Sequence, residues 1–159
     1  MLVGGRRGRG HARSQRVTSA RPAQALAVVT CMDCRVDPLP VLGLQPGDAH
    51  VLRNAGGVVT DDVIRSLAIS QRKLGTRAVR LIHHTDCGML TLTDDSFRDE
   101  LQRETGMAPP FAIESFADLQ DDVRQSILRV RASPFLLHRD DVLGFVYDVE
   151  DGQLREVDA

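Results

Sequence analysis

The chain has 159 residues, 42% of them hydrophobic, with no tryptophan and a formal net charge of −2. That length suits one domain able to bury a core of Val, Leu, Ile and Ala without disulfide staples. No apolar run reaches the roughly 18 residues a membrane-spanning helix needs, so no membrane partner is expected. Three cysteines make an odd number and a poor disulfide framework, and reduced thiols in a cytoplasmic setting fit better.

The charge is unevenly spread. Six arginines (Arg6, Arg7, Arg9, Arg13, Arg16 and Arg21) lie in the first 25 residues, which hold no acid. Setting those six aside leaves 14 basic residues against 22 acids. Residues 1–24 read as a disordered Arg-rich tail without the apolar core of a secretory signal. Such a composition resembles an organelle transit peptide or a loose phosphate binder, but a plain extension outweighs both. Nucleic acid is therefore not the expected partner. Residues 25–159 contain no repeat and no second linker, and read as a single domain.

Residues 25–31 form an apolar run read as a buried first strand. Residues 36–44 carry Pro38, Pro40 and Gly43, so a turn with at most a short helix is expected there. A second strand over residues 48–53 ends at Asn54-Ala55-Gly56-Gly57, where paired glycines allow positive φ and a close backbone approach. Residues 61–74 give the best helix, with Thr60 as N-cap, Asp61 and Asp62 on the positive end of the dipole, and Gly75 as the stop. Its face is Val63, Ile64, Leu67, Ala68, Gln71 and Leu74.

Residues 78–83 form a third strand. A weakly patterned helix over residues 94–104, a Pro-containing loop and a clear amphipathic helix over residues 118–131 follow. The last strand, residues 143–149, is followed by the hairpin signal Asp151-Gly152, and residues 153–157 pair back as an antiparallel edge. Strands alternating with helices predict an α/β fold: a mostly parallel central sheet flanked by helices. Right-handed crossovers then gather the strand C-termini along one edge, where open α/β sheets bind ligands.

Two clusters sit at such ends. Cys31-Met32-Asp33-Cys34-Arg35 follows the first strand, and His84-Thr85-Asp86-Cys87-Gly88 follows the third. Zinc takes thiolate and imidazole ligands in a tetrahedron, and catalytic sites leave one position for water. Cys31, His84 and Cys87 would supply three such ligands. The ion would lower the pKa of its water towards about 7 and make it a nucleophile near neutrality, attacking as hydroxide. Arg35 would then hold Asp33 as an oriented carboxylate beside that oxygen. His83, alternating with His84 along the strand, is assigned to packing or an outer hydrogen bond. His50 and His138 read as ordinary, and Asp37, Asp61, Asp62 and Asp86 as turn or cap residues, with Asp86 close enough to the ligands to merit mutation.

The pattern Cys-x-Asp-x-Arg followed by His-x-x-Cys resembles the beta-class carbonic anhydrases. Cys31, Asp33 and Arg35 match the first motif, His84 and Cys87 the second, and Asn54-Ala55-Gly56 the segment between them. The resemblance implies zinc on Cys31, His84 and Cys87, with Asp33 and Arg35 as the catalytic dyad. It implies a zinc lyase, carbonate dehydratase, hydrating carbon dioxide to bicarbonate and a proton. It also implies a homodimer or dimer-based oligomer. Cys34 occupies a variable place in the motif and is not carried over as a ligand. Residues 1–24 lack the pattern of the helical arm that family members pack on the partner subunit.

The residues also fit three other readings. Cys31 and Cys34 form a Cys-x-x-Cys pair after a strand, as in dithiol oxidoreductases, although Pro38 and Pro40 spoil the helix that chemistry needs. A closed Cys31, Cys34, His84, Cys87 site would make a structural zinc or binding module. The same open site would also suit hydrolysis of carbonyl sulfide or carbon disulfide, with Val58, Met89 and Leu90 as candidate channel residues.

Overall fold

A computed structural model describes residues 19–159. The five strands are β1 (Leu26–Cys31), β2 (Ala49–Asn54), β3 (Ala78–His84), β4 (Val142–Tyr147) and β5 (Leu154–Val157). The helices are α1 (Pro38–Val41), α2 (Asp61–Leu74), α3 (Asp94–Thr105) and α4 (Leu119–Ala132). One sheet runs in the order β2-β1-β3-β4-β5, parallel throughout except for the antiparallel β4–β5 edge. Of the expected tail, residues 1–18 lie outside the described residues. Ala23 and Gln24 already donate backbone hydrogen bonds to Gly47 and Asp48. Among the described residues no helix is long and apolar enough to cross a membrane.

The strand order follows from handedness. The chain leaves β1 in one direction to form β2, then returns past β1 to form β3. Right-handed crossovers therefore place α1 on one face of the sheet and α2 on the other. Two apolar clusters record this. Ala27, Val29, Val79 and Leu81 pack with Val63 and Leu67 of α2 and with Val123, Ile127 and Val130 of α4. Leu26, Val28 and Ile82 pack on the opposite face with Leu39, Leu42 and Leu44. Every residue of β1 is buried, the signature of a central parallel strand.

Local chemistry sets the helix limits. The Thr60 hydroxyl accepts from the Val63 N–H, and Gly75 closes α2 in the left-handed conformation at φ 83°. Asp118 caps α4 in the same way through the Asp121 N–H. α3 has a capping box between Thr93 and Ser96 but buries no residue, which is why its apolar pattern is weak. Phe145 and Tyr147 of β4 stand partly buried over the second cluster.

Gly144 of β4 lies directly beneath α4. A Cβ there would meet Val123 and would stand 2.7 Å from Ile127 Cδ1. Overpacking of a tight core costs about 1–3 kcal/mol. Gly144→Ala is therefore expected to lower the urea midpoint by an amount in that range without changing the slope of the transition. An unchanged midpoint would show that α4 is not pressed against the sheet.

Candidate metal centre

The strand order reverses between β1 and β3, and the two clusters stand at the C-terminal ends of those strands. Parallel register pairs Thr30 with Ile82, so Cys31 emerges beside the two histidines that end β3. The turn after β3 then returns Cys87 to the same spot. The ligand atoms of Cys31, His84 and Cys87 all lie within 4.8 Å of one another, and all three residues are buried.

The imidazole is prepared for a cation. His84 Nδ1 lies 2.8 Å from the Thr85 carbonyl oxygen, which makes Nδ1 the donor and leaves the lone pair on Nε2. Nε2 is buried and has no hydrogen-bond partner. A buried polar atom left so needs a partner of another kind, and a divalent ion between it and two sulfurs supplies one. The donor set fits a borderline-soft ion, and three ligands leave a tetrahedral position open.

The thiols act on each other. The Cys87 thiol, donating to the Cys31 sulfur, pulls the Cys31 pKa down against the opposing effect of burial, and the same bond pushes Cys87 up. Burial draws the His84 imidazole down, but the Cys31 sulfur facing it and the Thr85 carbonyl outweigh burial, and its pKa rises.

Beside this group stands a fixed ion pair. Arg35 Nη2 is 2.7 Å from Asp33 Oδ2, Nε is 3.0 Å from Oδ1, and the Arg35 backbone N–H donates to Oδ1 at 2.8 Å. These bonds hold the Asp33 carboxyl well below the usual carboxylate range. Asp33 Oδ2 sits 3.8 Å from His84 Nε2. The other side of Arg35 reaches Asp86, with Nη1 2.7 Å from Oδ2 and Nη2 2.9 Å from the carbonyl oxygen.

Two supports had no mark in the sequence. Arg53, at the end of β2, donates to the carbonyls of Cys31, Asp33 and Val36 at 3.0, 2.6 and 2.8 Å. It pins the whole first cluster, and only the parallel register brings it there. Phe116 joins Val58, Met89, Cys31 and Cys87 in an apolar cluster, from a loop without a periodic pattern.

Leu90 is exposed and stands outside that cluster. Cys34 is exposed and does not join the three ligand residues. Only the four-residue α1 follows it, so no helix of useful length meets the Cys31–Cys34 pair. His83 turns to the α4 side, its Nε2 2.6 Å from Asp122 Oδ2 and its ring against Phe116. His50 is tied to Ser70 and to the Ala20 carbonyl.

Residues 26–154 match the family profile described as carbonic anhydrase. Over 136 residues the chain is 56% identical to beta-carbonic anhydrase 1 of Mycobacterium tuberculosis, covering 86% of this chain and 83% of that protein. The chain belongs to the beta-carbonic anhydrase family. A crystal structure of carbonic anhydrase from Streptococcus mutans superposes with a TM-score of 0.84 at 43% identity, covering 91% of this chain and 87% of that one. Within the same group, a carbon disulfide hydrolase of Acidianus is 34% identical over 89% of this chain and 81% of its own length.

Metal ligands bind deprotonated, so filling the centre must displace protons. Without a metal the bond between the thiols favours the thiolate on Cys31 and the proton on Cys87, and the Cys31 sulfur and the Thr85 carbonyl raise the His84 pKa against burial. Adding Zn2+ at neutral pH is expected to release about one to two protons per ion. Calorimetry in buffers of different ionisation heat measures this number. Release of none would contradict the shared-proton description.

Proposed function

We propose that this protein is a carbonate dehydratase, a zinc lyase that reversibly hydrates carbon dioxide to bicarbonate and a proton. Cys31, His84 and Cys87 hold Zn2+, and Asp33 with Arg35 is the acting pair. The observation that carries this reading is the orphaned Nε2 of His84, faced by two thiols and by a carboxylate 3.8 Å away. Zinc held by these residues supplies the Lewis acidity that makes water a nucleophile near neutral pH.

The chain's own residues do the rest. An ionised carboxylate only accepts hydrogen bonds, so Asp33 can take one from the reacting oxygen and turn its free lone pair towards the carbon of the substrate. Arg35 keeps Asp33 anionic and aimed. Val58, Met89 and Phe116 form an apolar wall beside the sulfurs, which suits a small linear molecule without charge. The bicarbonate formed is charged, gains little from that wall and leaves to water. The carbon disulfide hydrolase relatives support a second substrate at the same centre, since carbon disulfide has the same linear shape. The exposure of Cys34 argues for an open centre over a four-ligand structural one.

The three cysteines are free, which supports a reducing, cytoplasmic setting. Membership of the family and exposed apolar side chains at Met32, Val51, Ile69 and Phe135 support a homodimer or dimer-based oligomer. Residues 25–159 form the catalytic domain, a reading supported by the single sheet among the described residues, with Ala20, Ala23 and Gln24 hydrogen-bonded to it.

Stopped-flow hydration of carbon dioxide by zinc-loaded protein tests the function, with carbon disulfide as the alternative substrate. Wild type and Cys34→Ser should hydrate carbon dioxide alike, Cys87→Ser should fail, and Asp33→Asn should lose about 10- to 100-fold. Equal rates for wild type and Cys87→Ser would remove the metal centre from the reaction. The pH dependence separates the groups further. Asp33, its pKa lowered by the bonds from Arg35, stays charged as the pH falls through the ordinary carboxylate range. An acid limb above that range should therefore belong to other groups, and Asp33→Asn should lower the rate at every pH without moving it.

A further inference from the structure

We propose that Asp86 is a positioning residue of this centre: its carboxylate and its carbonyl hold the far side of the Arg35 guanidinium and so fix where Asp33 points. The inference rests on the reading of Asp33 and Arg35 as the acting pair, and adds a third member that joins the two clusters.

A guanidinium is a rigid planar fork with five N–H donors. Here Nε and one side of Nη2 face Asp33, while Nη1 and the other side of Nη2 face Asp86. Because the fork is planar, anchoring one edge sets the orientation of the other. Arg53 pins the backbone of the turn that carries Asp33 and Arg35, but their paired side chains could still swing together beyond it without an outside anchor. Asp86 supplies that anchor from the segment that carries His84 and Cys87. The carboxylate that must face the reacting oxygen is thereby referenced to two of the three ligands.

The backbone gives an independent reason to look at Asp86. It has φ 54°, in the left-handed region where a side chain strains the main chain and glycine does not. The ends of α2 and α3 fill such positions with Gly75 and Gly106. A residue kept only to make this turn would be served by glycine. The side chain retained here instead points at Arg35 and bonds to it at 2.7 Å.

The Asp86 side chain is 78% exposed and that of Arg35 43%. Exposed pairs of this kind add little to stability, so the contribution of Asp86 is to orientation and its loss should not be read in the melting temperature. Asp86→Gly separates the two roles, because it removes the carboxylate and relieves the turn at once. Asp86→Asn keeps the volume and leaves a neutral oxygen for Nη1.

The experiment compares wild type, Asp86→Gly, Asp86→Asn and Asp33→Asn, each with its zinc content measured. We expect Asp86→Gly to keep its zinc and to melt no lower than wild type. Its kcat/KM for carbon dioxide hydration should nevertheless fall by about tenfold, the lower end for partners that orient groups at a metal centre, with Asp86→Asn between the two. A readout independent of turnover is the Arg35 Nε–H resonance in 15N-labelled protein, assigned by its loss in Arg35→Ala. It should be sharp in wild type and broadened in Asp86→Gly.

Wild-type kcat/KM with an unchanged Arg35 signal in Asp86→Gly would overturn the proposal. Loss of zinc from Asp86→Gly would also overturn it, by showing that Asp86 supports the ligand turn and not Arg35. If Asp33→Asn hydrates carbon dioxide at the wild-type rate, the reading of the acting pair fails and takes this role with it. If Asp33→Asn is slow and Asp86→Gly is normal, only the role of Asp86 fails.

Discussion

The parallel pairing of β1 with β3 decides where every reactive group lies. Five residue pairs, from Leu26 with Ala78 to Thr30 with Ile82, hold the two strands in one register. A slip of one residue would turn His84 to the side now taken by His83, and the three ligand atoms would no longer converge. The register is itself set by burial on both faces. Val79 and Leu81 must reach the α2 and α4 side, and Ile82 the other. Hydrophobic burial at roughly 25 cal/mol per Å2 thus fixes the metal centre without any residue of that centre contributing to the choice.

The centre in turn is expensive to leave empty. Two sulfurs and an imidazole nitrogen are gathered away from water, and Nε2 finds no donor or acceptor there. A bound cation removes that cost and cancels the charge of the thiolates, so binding and folding reinforce each other. In the metal-free state the thiols relieve part of the repulsion by sharing a proton, which is why Cys31 and Cys87 shift in opposite directions.

The sequence shows those features whose cause is local. α2 runs from Asp61 to Leu74 as its Thr60 cap and Gly75 stop predict, and the antiparallel edge follows the Asp151-Gly152 signal. The two clusters are legible because their spacing carries the chemistry: the bonds between Asp33 and Arg35 need only the turn that joins them. His83 and His84 are separated by strand alternation alone, and the structure puts them on different partners. What the sequence hides depends on distant segments. Arg53 looks like any polar residue of a mixed strand until β2 is laid beside β1. Phe116 lies in a loop whose position is set by α3 and α4, and Asp86 reads as a turn residue until Arg35 is placed across from it.

The paired glycines show how closely main chain and site are fitted. At Gly57 a Cβ would fall 2.8 Å from the Cys31 nitrogen and 2.9 Å from the Thr30 carbonyl carbon, with φ at 76°. No side chain can stand there without moving the end of β1, and with it the first sulfur. At Gly56 a Cβ would press on Phe116 and Met89 at 2.9 and 3.1 Å, two members of the apolar wall. The turn after β2 therefore lies between Cys31 and the wall, touching both with bare backbone. Whatever enters between the sulfurs and that wall has to fit in what the contact leaves. Room beside the sulfurs therefore depends on how far Phe116 and Met89 can draw back, since Gly56 already stands against both.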